Sequence, residues 1–83
     1  MDMVLVEWVD ARGVGTDWKP VSEMREGLCS ARSLGFLVHE TDDYVVILPH
    51  LLDEGANPDQ GVGEMNIPKK AVKRLVVLVE HVP

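Results

Sequence analysis

The sequence predicts a mainly β fold in one domain spanning residues 1–83, a small five-stranded barrel that is partly open. Three observations carry that expectation. Five short runs of β-forming residues are separated by glycine, proline, asparagine and aspartate. Two of those runs flank an Asp42-Asp43 pair suited to a tight hairpin. A proline opens a single helical turn just before the last run, an arrangement that suits a short barrel of this size.

Residues 3–9 (MVLVEWV) predict the first strand, ending at Asp10. The stretch ARGVGTDWKP then reads as a loop, marked by Gly13, Gly15 and Pro20. A short helix is expected over 20–28, with Ser22 as its N-cap and Gly27 as its stop. It is too short to be stable alone and would have to lean on the sheet through Met24 and Leu28.

The second strand is expected over 33–41 and the third over 44–51. With Asp42-Asp43 at the tip, Glu40 would face Val45, Val38 would face Ile47, and Phe36 would face Pro49. Phe36, Val38, Val45 and Ile47 would then line the core, and Leu37, Val46 and Leu48 would stand on the other face. Pro49 has no N–H to donate, so its strand should be an edge or bulged there. Residues 53–63 (DEGANPDQGVG) read as a polar loop. A fourth strand over 64–67, the one-turn helix opened by Pro68, and a fifth strand over 73–81 complete the chain.

Composition narrows the functional classes. Hydrophobic residues make up 46% and charged residues 27%, which is too apolar for a disordered chain. Aromatics are only 5%, so the core must be aliphatic. The net charge of −6 opposes nucleic acid and anionic membranes at long range. One cysteine, Cys29, excludes an internal disulfide and suits a reducing compartment. The acidic start lacks the basic region of a signal peptide, and no apolar run approaches a membrane span. A cytoplasmic domain with no membrane partner is the expectation.

Candidate chemistry is thin. Gly13-Val14-Gly15 and Gly61-Val62-Gly63 begin like phosphate loops, but the third glycine position holds Trp18 or Asn66. Asp53, Glu54, Asn57 and Asp59 supply oxygen ligands without the EF-hand order. His39, His50 and His81 fall too far apart on the expected pairing to share a zinc ion, and Cys29 has no convergent partner. No elbow motif frames Cys29 or Ser30 as a nucleophile. The expectation is a protein that is not an enzyme, with no catalytic residue, metal or cofactor. Lys69, Lys70, Lys73 and Arg74 hold half of all basic residues within six positions. They are the candidate nucleic-acid contact, with Trp8, Trp18 or Tyr44 as stacking surfaces if adjacent. Trp8 and Trp18 are otherwise expected to pack in the barrel and its loop.

Gly35, Leu37, Asp42 and the run VVIL resemble the first motif of the Sm-like family of small β-barrels. Ile67, Val72 and Leu75 match the apolar spacing of that family's second motif, with Pro68-Lys69 where it has Arg-Gly. The chain also resembles small phage and prophage proteins of unknown role. The residues that carry this are Trp8-Val9-Asp10, Trp18, the run from Ser33 to Asp43, Ile47 to His50, and Ile67 to Val72. That resemblance implies an SH3-like barrel of mobile-element origin in a bacterial host. It brings no function with it. The apolar second face of the hairpin must be covered either by the 20–28 helix or by another copy. The reading is a self-associating interaction module, with Leu37, Val46 and Leu48 at the contact between copies and a host or phage protein as a further partner. The Asn that helps hold a base in the Sm-like family is replaced here by Tyr44 or Val45, so that family's RNA pocket is not carried over; the alternative, an Sm-like oligonucleotide-binding ring, rests on the basic turn.

Overall fold

The computed structural model describes residues 1–11, 17–24, 27–52 and 60–83. Among them the chain is mainly β and contains no α-helix. Seven strands form: β1 (Met3–Asp10), β2 (Cys29–Glu40), β3 (Tyr44–Leu48), β4 (His50–Leu52), β5 (Gln60–Val62), β6 (Met65–Pro68) and β7 (Val72–Leu78). Five make an antiparallel sheet in the order β6-β3-β2-β1-β7, and β4 and β5 make a separate two-stranded sheet.

The expected barrel is not closed. β6 and β7 are the two edges of the sheet, and the chain crosses between them through a 3-10 turn, Lys69–Ala71, where a one-turn helix was expected. β6 is only four residues long and ends on a proline, which leaves little edge for a second ladder. The helix expected over 20–28 also gives way to a 3-10 turn, Val21–Glu23. Ser22 lies inside that turn instead of capping it; Pro20 holds the cap position without a side-chain bond, and Met24 is already extended. Val21, Met24 and Leu28 are 79%, 50% and 67% exposed, so Met24 and Leu28 are not buried against the sheet as expected. Without such packing, so short a helix has too little to offset its nucleation cost.

The core is small and aliphatic, as the scarcity of aromatics requires. Val4, Val6, Val45, Ile47 and Ile67 are buried, with Trp8, Leu37, Val72 and Leu75 packed around them. Pairing explains the grouping: Val6 faces Ser33 and Leu75, while Val45 faces Ile67, so alternate positions of each strand meet on one inner face. Trp8 joins this face, and its indole Nε1–H donates to Ser33 Oγ at 3.0 Å.

The hairpin at Asp42-Asp43 forms, but its register departs from the simple count. Glu40 pairs with Val45 and His39 with Val46; beyond them Leu37 pairs with Ile47 and Phe36 with Leu48. A bulge at Val38 absorbs one residue, so Val38, expected in the core, is 40% exposed, and Leu37, expected on the other face, takes the inner position instead. Thr41 fixes the turn: its Oγ1 accepts from the N–H groups of Asp43 and Tyr44 at 3.1 and 3.0 Å, and its own N–H donates to the Tyr44 carbonyl at 2.9 Å.

Gln60–Val62, expected to be loop, is a strand paired with His50–Leu52. Ile47 pairs with Met65 and His50 with Val62, so three steps forward on one side match three steps back on the other. β3–β4 and β5–β6 are therefore one antiparallel ribbon in unbroken register, interrupted only at Pro49 and Gly63. Pro49 has no N–H, and Gly63 takes a φ of 84°, with Pro49 Cγ only 2.9 Å from where a Cβ would stand. Beyond that break β4 and β5 pair with each other and leave the five-stranded sheet. The molecule measures 57 × 33 × 22 Å with a radius of gyration of 16.8 Å. A compact domain of this length would have about 12 Å.

Candidate functional site

The inner face uses only half of the side chains on the five-stranded sheet. The pairing sets the other half in rungs across the outer face. One rung is Leu78, Met3, Phe36 and Leu48; the next is Val76, Leu5 and Leu34. Leu34 is 63% exposed and Leu78 37%, while Met3, Leu5, Phe36, Leu48 and Val76 are partly buried against one another. Past these rungs lies a charged one: Glu7 stands between Arg74 and Arg32. Arg74 Nε and Nη2 each reach a Glu7 carboxylate oxygen at 3.2 Å, and Arg32 Nε lies 3.5 Å away. At the far side His39 pairs with Val46 and Val46 with Asn66, and the rings of His39 and Tyr44 lie 6.2 Å apart.

Of the three residues expected at a contact between copies, Val46 and Leu48 stand on this outer face. Leu37 does not, because the bulge at Val38 turns it to the core. Phe36, expected in the core opposite Pro49, stands on this face instead, because the bulge at Val38 shifts it opposite Leu48. Met3, Leu5, Leu34, Val76 and Leu78 also belong to the face and were missed. For Met3, Leu5, Val76 and Leu78 the sequence did carry a signal: the runs MVLV and LVVL are apolar at every position, the pattern of strands covered on both faces.

The basic turn does not gather its charge. Lys69 Nζ is engaged by Glu40 Oε2, and the Lys69 backbone N–H donates to the Asp43 carbonyl at 2.8 Å. Arg74 is committed to Glu7 on the outer face. Lys73 Nζ reaches only Ser30 Oγ, at 3.4 Å, and Lys70 is exposed. Neither tryptophan provides a stacking surface beside it, since Trp8 packs on the core and Trp18 lies in the segment ahead of the first 3-10 turn; of the three aromatics considered, Tyr44 does lie next to the turn, paired with Pro68 and 39% exposed. Trp18 is fully exposed and not packed in a loop as expected.

Other candidates resolve simply. Among the described residues no three His, Cys, Asp or Glu side chains come together to hold a metal ion. His50 pairs with Val62, away from His39, and Cys29 is a partly buried free thiol paired across from Asp10. Gly61 and Val62 are ladder residues of β5. Gly13 and Gly15, like Asp53, Glu54, Asn57 and Asp59, lie outside the described residues. A shallow recess of about 300 Å³ is formed by the two-stranded ribbon itself, between His50, Leu51, Leu52, Gln60, Gly61 and Val62. No helix among the described residues is long and apolar enough to cross a membrane. Compared with protein-family models, curated proteins and solved structures, the chain finds no match.

Proposed function

We propose that the chain is a non-catalytic interaction module of phage or mobile-element origin that associates with itself. The observation that supports this reading is the outer sheet face. Two adjacent rungs of apolar side chains stand on it, with Leu34 and Leu78 exposed and Met3, Leu5, Phe36, Leu48 and Val76 partly so. Monomeric proteins seldom leave such a patch in water, because each buried square ångström of apolar surface contributes about 25 cal/mol. The oligonucleotide-binding alternative ranks lower, since Glu40 and Glu7 already hold Lys69 and Arg74.

The test is a native mass spectrum of gently purified protein. A discrete multimer is the expected result. A single-subunit mass at micromolar concentration would overturn self-association. Extra mass that releases nucleotides would put the basic turn first, and replacing Lys69, Lys70 and Lys73 with Glu would then abolish the bound material.

A further inference from the structure

We infer that two copies of the chain pair antiparallel along the free edge of β7, about a twofold axis through Val77. This rests on the self-association proposed above and names its contact. Main-chain direction identifies the edge. The Leu37 N–H donates to the Asp2 carbonyl at 2.8 Å, one residue outside the Met3–Phe36 pair. N–H and C=O groups alternate in direction along an antiparallel strand, so Val4 and Val6 bond to β2, while Met3, Leu5 and Glu7 bond to β7. Their partners Leu78, Val76 and Arg74 are thereby engaged. Leu75 and Val77 turn their N–H and C=O groups to the open side, where no strand lies among the described residues. The opposite edge of the sheet offers less. The Lys69 N–H donates to the Asp43 carbonyl beside the Tyr44–Pro68 pair, so Asn66 and Pro68 are the outward residues of β6, and Pro68 has no N–H.

The partner is a second copy because the chain's own C-terminal residues supply what the β7 edge lacks. Alternation requires outward residues to meet outward residues, which centres a twofold pair on a residue and not between two. The register shift between Arg74 and Val72 ends the regular edge on one side. With the axis at Val77, Arg74 meets Glu80 of the second copy, Leu75 meets Val79, and Val76 meets Leu78.

Charge selects this register. Arg32 and Arg74 flank a single acid, Glu7, so the charged rung reaches the open edge with a surplus arginine. Glu80 is exposed and takes part in no ion pair among the described residues. The pairing continues the rung with alternating sign. Moving the axis to Leu75 or Val76 would set Arg74 against Val76 or Leu78, and moving it to Arg74 would oppose like charges. The apolar positions agree. Val77 stands on the core side opposite fully buried Val4, yet it is 52% exposed, and Val79 is 88% exposed. A strand in this register covers both. Val79 and Glu80, which lie beyond the end of β7, would join the strand.

Sedimentation equilibrium of the unaltered chain should give a dimer, because a twofold contact occupies both edges and closes at two copies. Val77→Pro removes the outward N–H at the axis while leaving the β1 ladder its donors, and should weaken the dimer at least about 100-fold. Glu80→Arg brings like charges together at both ends of the contact and should weaken it about tenfold, less so in about 0.5 M salt. Glu80 is exposed, so far-UV circular dichroism of that variant should match the unaltered chain. Leu34→Glu, on the outer face away from this edge, should leave the dimer intact. In a Cys29→Ser background, Val77→Cys should link to itself under mild oxidation, since facing residues of a hydrogen-bonded pair lie about 5.5 Å apart at Cα. A dimer that survives Val77→Pro and Glu80→Arg but is lost with Leu34→Glu would overturn edge pairing and leave self-association standing. An assembly larger than a dimer would also overturn edge pairing. A monomer in the unaltered protein would overturn both.

Discussion

Replacing Gly35 with alanine tests how closely β2 and β3 approach. A Cβ at this position would lie 2.9 Å from the Leu48 carbonyl oxygen and 3.2 Å from Ile47 Cβ. Neither neighbour yields cheaply: one is main chain, and Ile47 is 3% exposed in the core. On the other side Gly35 pairs with Val4, which is fully buried, so β2 has no room to retreat. Gly35 is not among the glycines with positive φ, so alanine fits its backbone and the effect is steric alone. Overpacking of this kind costs about 1–3 kcal/mol, while the loss of freedom in the unfolded chain returns about 0.4–1 kcal/mol. The net expectation is a loss of about 1–2 kcal/mol, or roughly 5–15 °C in Tm for a domain of this size. Thermal melts followed by far-UV circular dichroism should be run at one protein concentration, because the Tm of a self-associating protein, as proposed here, depends on it. A Tm that is unchanged or raised would refute the close approach of the two strands.

Thr41→Ala should cost about 1 kcal/mol in urea denaturation by removing the acceptor for the Asp43 and Tyr44 N–H groups, whereas Thr41→Ser should retain most of that stability. Acrylamide should quench the emission of Trp18 and largely spare that of Trp8. In Trp18→Phe the remaining emission should therefore be blue-shifted and resistant, and an accessible red-shifted spectrum would contradict the packing of Trp8 against Ser33. Glu7→Gln should lower stability by no more than about 1 kcal/mol, because both arginines are more than half exposed, and the difference should shrink in 0.5 M salt.

The strands that show in the sequence are those whose own residues specify them. Residues 3–9 and 44–48 are β-branched or aliphatic almost throughout, and Asp42-Asp43 marks the turn between β2 and β3. The start of β2 does not show in this way: Cys29 to Arg32 are extended because Asp10, Val9, Trp8 and Glu7 lie opposite. Partner strands also explain β5, since Gln60-Gly61-Val62 has turn-like composition and becomes a strand by continuing a register set at Ile47 and Met65. The bulge at Val38 is invisible in a run such as FLVH, where apolar residues occupy consecutive positions and the period of two gives no unique register. That one residue decides whether Leu37 or Val38 faces the core, and with it part of the expected contact surface. The basic cluster was legible as composition, but its partners Glu40 and Glu7 are distant in sequence, so their neutralising effect was not.

The position of β1 sets an order on folding. It is the first strand in the chain, yet it lies between β2 and β7, with Met3 pairing to both Phe36 and Leu78. During synthesis β1 and β2 can meet early, but one flank of β1 stays open until residues 72–78 emerge. Closing so long a span carries its entropic cost before any contact rewards it, which places the chain among slow, millisecond-to-second folders. In that interval the strand that later supplies Val4 and Val6 to the core is an unpaired edge, and nascent chains are at their most vulnerable to mispairing with one another.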